Sequence, residues 1–265
     1  MDKYETTLVI GDAHSIADDP DQERFDILGD FIVTHRPDNI VQIGDFMTYD
    51  SISAHNASKR LSMEGQRLKK ELQSGQQAYD LMMSHIDLHN EGLRKNKKAL
   101  YKPNMFYLLG NHEDRAARYV EENPEMKGLV YFNNYFNPED DGWVIVPYRE
   151  HCEINGVLFT HIPMNGANQP LSSVHLGRKV LEGYACSIVY GHTHYFACET
   201  EGVKTTDGYK KITSLNVGCY FDHKPEYART SKGIRRWWSG LVKITHLNNE
   251  GDFDFQTYSL ETLRK

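Results

Sequence analysis

Five short apolar runs in this chain each end in a polar cluster built from metal-binding residue types. Leu8–Ile10 leads into Gly11-Asp12-Ala13-His14, Ile40–Ile43 into Gly44-Asp45, and Met105–Leu109 into Gly110-Asn111-His112-Glu113. Val157–Phe159 leads into Thr160-His161, and Ile188–Tyr190 into Gly191-His192-Thr193-His194. Continuous apolar runs of this length, bounded by glycine and polar residues, read as buried strands. Open α/β architectures place ligand chemistry in the crevice beyond the carboxyl ends of their strands. The pattern therefore predicts that Asp12, His14, Asp45, Asn111, His161, His192 and His194 meet in one crevice, although they are far apart in the chain. Taken singly, a Gly-Asp or an Asp-x-His is most often a turn or a cap. The full set, each member at a strand end, is hard to explain without metal.

The donor types define the chemistry. Imidazole and carboxylate suit divalent first-row metals, and the four cysteines form no Cys-x-x-Cys pair for a structural zinc site. Two cations held about 3.5–4 Å apart need a shared anionic ligand. Asp45 is the candidate bridge. Asp12 and His14 lie two residues apart, as do His192 and His194, and in extended backbone such pairs point to one side. Asn111 offers a neutral carboxamide oxygen. Two carboxylates against two dications leave a positive surplus, which favours a phosphate and lowers the pKa of bound water. Manganese, or a mixed pair containing iron, suits these donors; zinc, nickel and cobalt share the preference.

The order D-x-H, G-D, G-N-H-E, H and G-H-x-H, spread over roughly residues 6–220, resembles that of the calcineurin-like metallophosphoesterases. The resemblance implies an α/β fold: a two-sheet β-sandwich flanked by helices, in four α/β/β/α layers. By motif, Asp12, His14, Asp45 and His194 resemble the ligands of a first metal, and Asp45, Asn111, His161 and His192 those of a second. His112 resembles the non-ligand histidine that contacts the phosphate or protonates the leaving oxygen. The implied activity is phosphate-ester hydrolysis by metal-activated hydroxide. Protein Ser/Thr phosphatases continue the second motif as G-D-x-x-D-R-G, whereas here Thr48 stands where that acid would be. A protein phosphatase is disfavoured, and Asp50 and Asp114 become the candidates to orient His112. The layout also resembles phage-encoded phosphoesterases, including some described as DNA exonucleases.

Substrate contacts are sought around this set. Arg115 and Arg118 lie three apart on a predicted helix and can grip a phosphate, or else pair with Glu121 or Glu122 on an exposed face. Asn165 lies in the polar loop after His161, well placed to meet substrate. Lys224, Arg229, Lys232, Arg235 and Arg236 interleave with Tyr220, Phe221, Tyr227, Trp237 and Trp238. Single-stranded nucleic acid stacks on such mixtures, though a solvated loop entering a strand is the plain alternative. A second basic cluster comprises Arg94, Lys95, Lys97, Lys98 and Lys102. Net charge is −7, which argues against indiscriminate nucleic-acid binding. The reading is a phosphodiesterase acting on nucleic acid, as a nuclease does, or on a nucleotide. The alternatives are a phosphomonoesterase on a nucleotide or small phosphate ester, and a non-catalytic binding scaffold, which the complete donor set disfavours.

With 265 residues and 39% hydrophobic content, one domain spanning residues 1–265 is expected. A helical insertion covers about residues 52–100, where Leu61, Leu68, Leu72, Tyr79, Met83 and Ile86 recur at helical spacing and Gly65 and Gly75 invite a bend. Helices are also predicted over Asp21–Thr34 and about Ser172–Glu182. Trp143–Val146 and His151–Thr160 read as strands, the latter turning at Asn155-Gly156. Strands near Lys210–Val217, Gly240–His246 and Phe253–Ser259 are expected to complete the second sheet. No apolar run reaches 18 residues, the N-terminus lacks a signal-peptide pattern, and the cysteines read as reduced thiols, so a cytoplasmic protein is expected.

Overall fold

Successive side chains of a strand face opposite ways, and the apolar runs are buried on both faces, so each sheet must be covered twice. The computed structural model describes residues 4–56, 61, 63–206, 208–223 and 236–265. β1 (Thr6–Ile10), β2 (Asn39–Gln42), β3 (Asn104–Leu108) and β4 (Trp143–Val146) run parallel in that order. The second sheet contains β5 (His151–Ile154), β6 (Val157–Thr160), β7 (Ser187–Tyr190), β8 (Phe196–Thr205) and β9 (Gly208–Val217). Its order is β5-β6-β7-β9-β8, with β6, β7 and β9 parallel and the two edge strands antiparallel. β10 (Gly240–His246) and β11 (Phe253–Ser259) extend the first sheet antiparallel from β1.

Val9, Val41, Ile43, Leu108, Phe159, Val189 and Leu215 fill the space between the sheets. Their neighbours Leu8, Ile10, Ile40 and Tyr107 belong to the core shared with α1 (Glu23–His35) and α2 (Leu68–Lys95). A third helix, α3 (Asp114–Glu122), joins that core through Ala116. On the far side, Ile188 and Tyr190 pack against Leu176 and Val180 of α4 (Leu176–Tyr184). The layers are therefore helix, sheet, sheet, helix, the α/β/β/α sandwich that the motifs imply.

Two expectations need correction. Of the three strands expected to complete the second sheet, Lys210–Val217 does so as part of β9, but β10 and β11 extend the first. Val242 and Ile244 face the inter-sheet core while Leu241 faces the helices, so β10 needs an interior place, which it finds between β1 and β11. The expected bend at Gly75 is absent, because α2 runs unbroken through it. A Cβ at Gly75 would strike the Met47 thioether, so the glycine lets α2 lie close against the turn that follows β2. Leu61 is exposed and precedes α2, and residues 57–60 and 62 of the expected helical stretch lie outside the described residues.

Cys152, Cys186, Cys198 and Cys219 are free thiols. Among the described residues no helix is long and apolar enough to cross a membrane.

Glu71 of α2 is buried and accepts hydrogen bonds from the backbone N–H groups of Asp50 (2.8 Å) and Ser51 (3.2 Å) and from the Ser51 hydroxyl (2.5 Å). Burial pushes its carboxyl up from 4.5 to about 7, against the opposing pull of the Ser51 hydroxyl. The folded state thus binds this proton more tightly than the unfolded chain. Stability should fall as pH rises from about 4.5 to about 7, by up to about 3 kcal/mol. Glu71→Gln should flatten that window, measured as urea midpoints at about pH 5 and about pH 7.5. An equally steep pH dependence in the variant would assign the effect elsewhere.

Candidate metal centre

Every candidate donor sits in the turn directly after a strand. Asp12 and His14 follow β1, Asp45 follows β2, Asn111 follows β3, His161 follows β6, and His192 and His194 follow β7. The backbone there is not extended, contrary to the simple i,i+2 argument. φ is 44° at His14, 52° at Asp45, 69° at His192 and 62° at His194, left-handed values that are uncommon for residues with a Cβ. Such conformations cost about 1–3 kcal/mol each and persist where the surroundings over-determine them.

The surroundings here do so. The amides of Ala13 and His14 donate to the Asp45 carbonyl at 3.1 and 2.9 Å, joining the first two turns. The Glu113 carboxylate is buried and accepts from the backbone N–H groups of Asp45 (3.0 Å), Gly110 (2.9 Å) and Met47 (3.1 Å). Burial, with Asp45 nearby, pushes its pKa up. A Cβ on Gly110 would collide with the Asp45 carboxylate, and one on Gly191 with that of Asp12, which is why glycine precedes these motifs. Arg24 is fully buried. Its guanidinium donates to the carbonyls of Ala13 (3.1 Å) and Tyr220 (3.1 Å) and grips Asp19 at 2.7 and 3.1 Å. Motif logic passes over Arg24; its signal was a charged residue in register with Leu28 and Ile32 on the apolar face of α1.

Two donor groups result. In one, the Nε2 atoms of His14 and His194 are 3.1 Å apart, and His194 Nε2 lies 3.1 Å from Asp12 Oδ2. In the other, Asn111 Oδ1 lies 3.0 Å from His161 Nε2 and 2.7 Å from His192 Nδ1. Asp45 Oδ2 lies between them, 3.8 Å from His14 Nε2 and 3.4 Å from His161 Nε2. Ligands about 2.1 Å from one cation sit about 3.0–3.4 Å from each other. Most of these spacings match, with Asn111–His192 shorter at 2.7 Å and Asp45–His14 longer at 3.8 Å. Each carboxylate gives one oxygen to the scaffold: Asp12 Oδ1 accepts from His192 N–H at 3.1 Å and Asp45 Oδ1 from His112 N–H at 2.8 Å. The other oxygen of each is buried without a hydrogen-bond partner. Unpaired buried anionic oxygens are costly, and these two point at neighbouring imidazoles. The residues fit a divalent metal site.

Electrostatics reflect the crowding. Burial pushes His192 down to about 4, helped by the neighbouring His161. Burial also lowers His14, with His112 and His194 adding to it. For His161 burial acts downward too, but the Asp45 charge outweighs it and holds the ring up at about 9. His161 Nδ1 lies 3.0 Å from the Ile43 carbonyl, and donation there leaves Nε2 as a lone-pair donor.

His112 lines the same crevice. Its Nδ1 lies 2.8 Å from the Thr48 carbonyl and its Nε2 3.0 Å from Arg115 Nη2. Thr48 thus orients the imidazole through its main chain. Asp50 acts one step removed, by holding Arg115 at 2.8 Å, and Asp114 instead pairs with Arg118 at 2.8 Å. Neither arginine is paired with Glu121 or Glu122. Asn165 is exposed, and its carboxamide oxygen accepts from Ala167 and Gln169 N–H within its own loop. Arg236 is exposed, while Lys224, Tyr227, Arg229, Lys232 and Arg235 lie outside the described residues. Trp237 reaches the site, its ring 4.6 Å from that of His194. The crevice holds about 430 Å³, walled by Asp45, Asn111, His112, Arg115, His194 and Trp237 among others. The other basic cluster closes α2 beside Lys102, at the amino end of β3 and so away from the crevice.

The profile of the calcineurin-like phosphoesterases matches residues 6–196, and the chain belongs to that family. It is accordingly a metal-dependent phosphoester hydrolase with a divalent-metal site. Gene 54 protein of Mycobacterium phage D29 is 27% identical over 250 residues, covering 90% of this chain and 88% of its own. Gene 54 protein of Mycobacterium phage L5 is 26% identical over 254 residues, with the same coverages. One solved chain superposes on 97% of this chain at a TM-score of 0.41 and 9% identity, too loose a likeness to bear on function.

Glu113→Ala removes the clamp behind Asp45 without touching a donor. It is expected to weaken binding of Mn2+ by about 10–100-fold, measured by calorimetric titration with circular dichroism as the check on folding. Unchanged affinity in a folded variant would detach the clamp from the site.

Proposed function

We propose that the chain is a dinuclear metallophosphodiesterase acting on nucleic acid or a nucleotide. Asp12, His14, Asp45 and His194 would hold one cation, and Asp45, Asn111, His161 and His192 the other. Manganese suits this mixture of imidazole, carboxylate and carboxamide. A bound pair supplies activation of water and neutralisation of phosphoryl charge.

The choice of diester rests on one observation. Arg115 is committed to Asp50 and Arg118 to Asp114, so neither guanidinium offers an unopposed positive charge at the crevice. A phosphomonoester carries about −1.5 to −2 charge near neutral pH, whereas a diester carries one negative charge. The paired arginines suit the diester. Trp237 beside His194 adds an aromatic face on which a base can stack.

Thr48 holds the His112 ring with Nε2 toward the crevice. Nε2 accepts from Arg115 Nη2 in this arrangement. The negative charge of a bound phosphate favours the imidazolium, whose Nε2 proton can then pass to the leaving oxygen. Arg115 positions that ring by binding the same Thr48 carbonyl at 2.7 Å. The free thiols are consistent with work in a reducing cytoplasm.

The deciding assay presents manganese-loaded protein with bis-p-nitrophenyl phosphate, p-nitrophenyl phosphate, single-stranded DNA and duplex DNA. Turnover of the diester should exceed that of the monoester, and His112→Ala should lower kcat by about 10²–10⁴-fold with metal retained. Release from the monoester alone overturns the diesterase reading. Trp237→Ala should slow DNA cleavage by about tenfold; an unaffected rate removes the stacking wall.

A further inference from the structure

A second cavity, of about 400 Å³, adjoins the metal crevice and shares Ser53, Asn56 and Arg115 with it. Its wall joins the turn after β2, including Ile52, to the face of α3 that carries Tyr119 and Glu122. His112 stands at the junction, with Nε2 3.0 Å from Arg115 Nη2. We propose that this cavity is a leaving-group subsite that takes a neutral nucleoside, an inference that rests on the diesterase reading above.

Position comes first. A leaving oxygen protonated by His112 departs on the Arg115 side, and whatever is bonded to that oxygen enters the second cavity. Charge comes next. Arg115 and Arg118 are each matched by an aspartate, and Glu122 adds a negative charge, so the cavity disfavours another phosphate. The remaining surface suits a nucleoside. Tyr119 and Ile52, both packed partly against the core, line the cavity with aromatic and apolar surface on which a base can rest. Among the described residues, the Ser53 hydroxyl and the Asn56 carboxamide oxygen make no hydrogen bond, which leaves them for sugar hydroxyls or base edges. A cavity of this volume is of the size that holds a small ligand. Hydrolysis here transfers the phosphoryl group to water: the P–O bond to the nucleoside breaks, a new P–O bond forms from water, and the proton ends on the nucleoside oxygen.

The test compares a dinucleotide, thymidylyl-(3′→5′)-thymidine, with the methyl esters of thymidine 3′- and 5′-phosphate, using the manganese-loaded full chain. Either P–O bond of a methyl ester can break, so the products are read: thymidine with methyl phosphate when the nucleoside leaves, methanol with thymidine phosphate when it does not. The dinucleotide, which loses a nucleoside whichever bond breaks, is the turnover control. From the better methyl ester the wild type should release thymidine over methanol by about tenfold. Tyr119→Ala should bring that ratio toward one, and Tyr119→Phe should keep it. Because each ratio is taken on a single preparation, it does not depend on how much of a variant folds. No preference in the wild type, or a ratio unmoved by Tyr119→Ala, overturns the subsite. Inertness of the wild type toward these diesters and bis-p-nitrophenyl phosphate would sink the diesterase reading itself, and the subsite with it.

Discussion

Two buried carboxylates, each tied to the scaffold by one oxygen and left unmatched at the other, govern this structure. Asp12 is anchored by the turn after β7 and Asp45 by the turn after β3. Each anchor therefore links strands that are far apart in the chain, and Asp12 links the two sheets. The unmatched oxygens face imidazoles: His194 beside Asp12, and beside Asp45 both His14, which burial lowers, and His161, which the Asp45 charge holds up. Bound cations would give both oxygens the partner that the hydrogen-bond network does not supply. Metal binding and local order are consequently coupled, as they are wherever ligands are gathered by the folded state alone.

Much of this was legible in the sequence, and the reasons are particular. Strands buried on both faces read as unbroken apolar runs, so β1, β2, β3, β6 and β7 announce themselves, and the donors follow them. Sheet membership of β10 and β11 was not legible, since an alternating apolar strand fits either sheet until the free edge beside β1 is known. The left-handed turns were hidden as well: residue spacing says nothing about φ once the ladder has ended. Asp50 and Asp114 were reasonable partners for His112, yet a main-chain carbonyl took the role, and a carbonyl leaves no mark in residue identity. Arg24 and Glu71 did leave a mark. Each interrupts the apolar face of its helix, and a charge in that register must be matched inside.

Electrostatic selectivity arises from pairing more than from net charge. The chain is acidic overall at −7, and among the described residues Arg115 and Arg118 beside the crevice are each matched by an aspartate. Bound cations would then supply much of the positive potential in the crevice. Such a site responds to the charge its metals do not balance, which is smaller for a diester than for a monoester.

Helix α2 contributes no donor, yet it presses on the turn after β2 at Gly75 and ties the next residues down through Glu71. The segment running from Asp50 to Asn56 hangs from that helix, not from the sheet that carries the ligands. With the subsite proposed above, hydrolytic machinery and selection of what enters it would rest on separate supports. A lineage can reshape the latter, swapping one ester clientele for another, while the machinery stands still.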